Sequence, residues 1–154
     1  MGPWREFLGT LATEVVKGVR RGAAHHAMRS TCGAAGLLVV REETGGFIVQ
    51  GDEQRLVRVT VGAHGGMAAL QTFCCQNLAA RGVPAALGFY LLNRNTRSPL
   101  YAWRAEEAEG VIDLWLCATV LVAGVTPVVL KSVVEGMCAE ATEVEAQLRR
   151  AGVI

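Results

Sequence analysis

Hydrophobic positions in this chain recur first at helical spacing, then in alternation, then at helical spacing again. Trp4, Phe7, Leu8, Leu11, Val15 and Val19 return at three- and four-residue steps, with Arg5, Glu6, Glu14, Lys17 and Arg20 mostly on other faces. That period predicts an amphipathic helix of about five turns, near 3–21. Gly22 weakens it, so the helix either stops there or frays through Ala23-Ala24-His25-His26. The small, polar run 28–36 (MRSTCGAAG) reads as a connection.

Strand patterning follows. Leu37 to Arg41 is a short β-type run, either a strand or the end of a helical extension. Gly45-Gly46 supplies turn chemistry, because glycine reaches positive φ without steric cost. A strand is predicted near 46–51. Val57, Val59 and Val61 then alternate with Arg58 and Thr60, a half-buried antiparallel strand near 54–63. After the turn Gly62-Ala63-His64-Gly65-Gly66, the segment 67–80 (MAALQTFCCQNLAA) has helix-forming residues but also a Thr-Phe-Cys-Cys cluster behind a Gly-rich turn. The expectation is a strand near 67–76, with helix the alternative.

Gly82-Val83-Pro84 marks a boundary, since proline pushes its predecessor extended and suits the first turn of a helix. A short helix is expected near 84–94, with Leu87, Tyr90, Leu91 and Arg94 on one side. A strand near 99–105 carries Tyr101 and Trp103 on one face, and Glu106-Glu107-Ala108-Glu109-Gly110 reads as an acidic hairpin loop. The next strand, near 111–122, has a wholly apolar face (Ile112, Leu114, Leu116, Ala118, Val120, Val122) and a mixed one that includes Asp113, Trp115 and Cys117. Thr126 and Pro127 open a last helix near 126–150, as N-cap and first helical residue, with the stripe Leu130, Val133, Met137, Ala141, Val144 and Leu148.

Composition narrows the classes. At 154 residues the chain fits one domain, 1–154; 51% hydrophobic against 19% charged residues argues for a sizeable core rather than disorder. A net charge of +1 gives no electrostatic case for nucleic acid or an anionic membrane as a partner. The apolar excess is consistent with surface covered by a second chain. No apolar run reaches the ~18–20 residues a membrane span needs, and the start of the sequence lacks a signal-peptide pattern. The five cysteines are odd in number, and neighbouring strand residues point to opposite faces, so Cys74 and Cys75 read as poor partners for each other. Free thiols in a reducing, cytoplasmic setting are the expectation.

Candidate chemistry is sparse. His25-His26 with Cys32 lacks the paired spacing of a structural zinc site, and adjacent helical histidines diverge by about 100°. No metal or cofactor is expected. Cys74 or Cys75 with His64 is the one nucleophilic or redox combination, without an orienting carboxylate in view. Neither glycine cluster matches a dinucleotide or phosphate loop. Glu106, Glu107 and Glu109 read as a solvated charge cluster. Tyr101, Trp103 and Trp115 are expected on the sheet face away from the helices, as a satellite core or a partner surface.

The order of elements resembles the type III secretion chaperone fold and its relatives, the YbjN-like proteins. Val83-Pro84 entering the middle helix, Leu91-Leu92-Asn93 ending it, the aromatic strand Tyr101-Ala102-Trp103, the acidic turn, the apolar strand 112–122 and Val125-Thr126-Pro127 carry that resemblance. It implies a small bacterial α+β protein: one antiparallel sheet of about five strands flanked by three helices, in the order α-β-β-β-α-β-β-α. It also implies a protein that binds other polypeptides, often as a homodimer, with no catalytic residues. In those chaperones the dimer pairs through the middle helix and the neighbouring last strand, here 87–94 and 111–121. The residues expected at such a surface are Leu87, Tyr90, Leu91, Arg94, Tyr101, Trp103, Asp113, Trp115 and Cys117. The alternative is a small-ligand protein or enzyme with a helix–sheet pocket using His64, Cys74 or Cys75.

Overall fold

The computed structural model describes residues 3–79 and 83–154, with side chains from Thr13 onward except those of Glu53 and Asn77. The expected stripe positions Trp4, Phe7, Leu8 and Leu11, and Gly82 at the boundary, fall outside the described side chains and residues. Nine elements and a short 3-10 turn follow one another: α1 (Pro3–Ala34), β1 (Leu38–Glu43), β2 (Gly46–Gln50), the turn Asp52–Gln54, β3 (Leu56–Val61), β4 (Met67–Ala79), α2 (Ala85–Asn95), β5 (Ala102–Ala108), β6 (Val111–Leu121) and α3 (Pro127–Arg150).

Helix α1 does not stop near 21. It runs to Ala34, through the segment read as a connection. Ala24, Met28 and Cys32 recur every fourth residue and are all buried, continuing a core stripe that the polar residues between them hide in the sequence. Thr31 turns its hydroxyl back on the helix, donating to the Ala27 carbonyl at 2.9 Å. Past the helix end, Gly36 turns the chain away with a left-handed φ of +76°, and the Leu37 amide reaches back to the Cys32 carbonyl.

The described strands form one antiparallel sheet of six, ordered β1-β2-β3-β4-β6-β5. The sixth is β1, the run that sequence patterning left between strand and helix end. Four strands meander, α2 crosses over, and the β5–β6 hairpin returns to lay β6 beside β4. The ambiguous 67–80 segment is strand, thirteen residues long, because both of its edges pair: β3 on one side and β6 on the other. The expected acidic loop is mostly strand. Glu106 and Glu107 lie on β5, and a two-residue turn of Glu109 (φ +52°) and Gly110 (φ +79°) closes the hairpin.

One face of the sheet carries the core. Phe47, Val49, Val57, Val59, Val61, Leu70, Leu114 and Leu116 are buried in a single cluster with Met28 and Cys32 of α1 and the whole predicted stripe of α3. Thr126 caps α3, its hydroxyl accepting from the Val129 amide at 3.3 Å, with Pro127 at the first turn.

Candidate interaction surface

Helix α2 has two different sides. Its inner side seats Leu87 and Leu91 in the core and places Arg94, only 7% exposed, at the junction with α3. The Arg94 guanidinium takes a bidentate pair with Glu143, both bonds at 2.9 Å, and also donates to Glu140 and to the Tyr90 hydroxyl. Glu140 also accepts the Trp103 indole N–H at 2.9 Å, and Tyr90 reaches Gln147. Asn95, at the end of the helix, clasps the Trp103 backbone through both amide and carbonyl. Arg94 holds the Glu140 and Glu143 carboxyls below the usual carboxylate range, and burial works the other way on both. The node joins α2, β5 and α3 with every charge paired.

The outer side of α2 is bare. Phe89 is 72% exposed and Leu92 63%, one turn apart on the same face, with nothing within 4 Å of the position a Cβ would take at the neighbouring Gly88. Across the sheet, the face turned away from the core carries the mixed side of β6. Trp115 lies against Phe73 ring to ring, Cys117 lies near Gln71, and Asp113 is half-buried. Met67 and Leu121, paired across β4 and β6, are both more than half exposed.

Of the nine residues expected at a self-association surface, Leu87, Leu91, Arg94 and Trp103 are buried within the chain. Tyr90 is half-buried in the Arg94 node, and Tyr101 packs at the position a Cβ would occupy on Gly136 of α3. Asp113, Trp115 and Cys117 lie together on the open sheet face. The three aromatics therefore divide between core and open face instead of forming one group. Phe89 and Leu92 escaped the sequence reading because the run Phe89-Tyr90-Leu91-Leu92 supports two apolar stripes. The inner one had the stronger pattern.

Other apolar side chains are also bare. Val15, Val16 and Val19 of α1 are exposed, and so, separately, are Leu38 and Val40 of β1, which forms one edge of the sheet. The opposite edge, β5, instead exposes Arg104, Glu106 and Glu107. Charged side chains of this kind blunt an edge against pairing. The β1 edge lacks them over its first three residues.

The remaining chemistry is dispersed. His64 sits exposed in the β3–β4 turn, and Cys74 lies seven residues into the strand that follows from Met67, roughly 23 Å along it at the usual strand rise. It cannot serve as base to either cysteine. His25 packs edge-on against Phe47 and lies 3.4 Å from Glu42 of β1, so it helps dock α1 on the sheet. Burial pushes the Cys32 thiol up to about 11. Among the described residues no group of three or more histidine, cysteine or acidic side chains is placed to hold a metal ion, and no helix is long and apolar enough to cross a membrane.

No protein-family model matches the chain, and no curated protein matches it in sequence. Solved structures do match in fold. The type III secretion chaperone SycH of Yersinia pestis, crystallised with a stable fragment of YscM2, superposes with a TM-score of 0.55 at 16% identity, over 78% of this chain and 98% of that one. YbjN of E. coli, a putative transcription regulator, gives 0.59 at 12% identity, over 81% and 90%. A chain of the ExsC–ExsE complex gives 0.51 at 17%, over 84% and 92%. The fold is that of the secretion chaperones and YbjN, as the order of elements in the sequence suggested. At these identities the likeness concerns architecture.

Proposed function

We propose that this protein is a non-catalytic polypeptide-binding module, chaperone-like or regulatory, which acts as a homodimer in a reducing, cytoplasmic setting. The observation that carries the reading is the bare apolar side of α2, Phe89 and Leu92, on a helix whose other side is fixed by a fully paired charge node. A surface helix in water normally turns its large apolar side chains inward. Here two remain outside while an arginine is held within, so the outer stripe has a partner beyond the chain. On the opposite face of the sheet, Trp115, Cys117 and Met67 offer a separate contact surface, and aromatic and methionine side chains are favoured at such contacts. SycH bound to a YscM2 fragment and the ExsC–ExsE pair supply a precedent for protein recognition in this fold.

A client segment adds to the β1 edge beside Leu38 and Val40, or packs on Val15, Val16 and Val19 of α1. Light scattering on the purified chain tests the dimer. The expected mass is twice 16.4 kDa at micromolar concentration. A mass of one chain at all concentrations overturns the homodimer.

A further inference from the structure

Cys74 and Cys75 lie where strand geometry alone would keep them apart. Phe73 pairs with Trp115 and Cys75 with Leu114, so Cys74 is an extra residue, a β-bulge opposite β6. The bulge breaks the alternation of faces. Both cysteines are buried on the α3 side, and their sulfurs are 3.5 Å apart. The Cys74 thiol also points at the Ala141 carbonyl of α3, at 3.6 Å.

The pair lines a cleft of about 510 Å³ that opens to solvent, with Arg55, Thr72, Glu145 and Arg149 in its walls. Arg55 is locked there by bonds of 2.6 Å to the Phe73 carbonyl and 2.6 Å to Glu145, and Arg149 reaches Glu145 at 2.8 Å. Two guanidinium groups thus face one carboxylate, leaving the cleft with an excess positive charge beside the sulfurs. Once one proton leaves the pair, the remaining S–H donates to the thiolate sulfur beside it, and this contact lowers the Cys75 thiol and raises that of Cys74. An attacking thiolate beside a second thiol is the arrangement of a redox pair.

We propose that Cys74 and Cys75 form a hydroperoxide-responsive dithiol, with Cys75 attacking and Cys74 resolving. The Cys75 thiolate attacks one peroxide oxygen; an S–O bond forms, the O–O bond breaks, and hydroxide leaves and takes up a proton. The Cys74 sulfur then displaces the oxygen from Cys75; the S–S bond forms, the S–O bond breaks, and water leaves with the Cys74 proton. Two thiols are oxidised and one peroxide is reduced to two waters. Closure draws the sulfurs from 3.5 Å to about 2.05 Å. It also removes the Cys74 contact with Ala141, so the oxidation state of the pair is felt where β4 seats α3. Because the ring includes the peptide bond between the two residues, the disulfide is readily reopened by a dithiol reductant.

The test is to treat the reduced full-length chain with one equivalent of hydrogen peroxide, count thiols after denaturation, and map the oxidised peptide. Two of the five thiols disappear, both within the peptide carrying Cys74 and Cys75, and dithiothreitol restores them. Cys74→Ser loses one thiol and leaves a sulfenic acid trapped by dimedone. Cys75→Ser slows peroxide consumption by about tenfold or more, since the better thiolate is gone. Retention of all five thiols, loss mapped instead to Cys117, or wild-type rates in both variants overturns the proposal. The wild-type peptide map decides the matter even where a serine variant folds poorly.

Discussion

Arg94 on α2 and Glu143 on α3 meet as a two-pronged pair, Nη1 to Oε1 and Nη2 to Oε2, each at 2.9 Å. With Glu140 gripping the same guanidinium, the pair decides which side of α2 faces inward. Leu87 and Leu91 follow Arg94 into the core, and Phe89 and Leu92 are turned out. Arg94→Ala should therefore cost about 3 kcal/mol in urea unfolding, because it leaves the Glu140 carboxylate largely buried and uncompensated. Glu143→Gln should cost well under half of that, since Glu143 is half exposed and its charge is solvent-screened.

The same node sets an acid limit. Glu140 and Glu143 are held low by Arg94, and Glu145 by Arg149 and Arg55. A carboxyl whose folded value lies below its unfolded value, about 4.3, contributes stability above that pH and loses it as the pH falls through the folded value. Stability of the native chain should thus decline below about pH 4.3, from protonation of these groups. The difference between the native chain and Arg94→Met should shrink over the same range, because acid and substitution remove the same pairing. Urea titrations at half-unit steps check this; a difference constant down to the acid limit would count against the node.

Gly46 is tested by a single methyl. A Cβ there would lie 2.1 Å from the Val59 carbonyl oxygen, backbone that cannot move without breaking the β2–β3 ladder. Gly46→Ala should destabilise by about 2 kcal/mol or more, through strain in a packed strand pair. Gly66→Ala, where nothing lies within 4 Å, should stay within about 0.5 kcal/mol. Thermal melts of the two variants separate close approach from simple turn chemistry.

How much of this was legible in the residues follows from what each pattern encodes. The α3 stripe, the Thr126-Pro127 start and the alternation of Val57, Val59 and Val61 are local signals with one dominant period, and they hold in the structure. The extension of α1 was hidden because its buried stripe uses small residues, Ala24 and Cys32, separated by polar ones. The Cys74 bulge was invisible because alternation assumes unbroken register, and the bulge is set by pairing with a strand forty residues away. The sidedness of α2 needed Glu140 and Glu143, which arrive by tertiary packing from a helix that one period cannot link to it.

Phe89→Asp and Leu92→Asp test the bare side of α2. Both positions are solvent-exposed within one chain, so at concentrations where native chain and variant are both monomeric their unfolding free energies should agree to within about 0.5 kcal/mol. At micromolar concentration the light-scattering mass should fall from two chains to one. A fall in stability without a change of mass would assign the two residues to the fold alone.

The central claim, recognition of a polypeptide, is tested most directly by cross-linking in the native host. The native chain is purified alongside Val19→Asp with Val40→Lys, and the bound polypeptides are quantified against the bait. The native chain should hold one polypeptide at a near-stoichiometric ratio and the variant should lose it, with both baits equally folded. No stoichiometric polypeptide, or one retained equally by both baits, would contradict it.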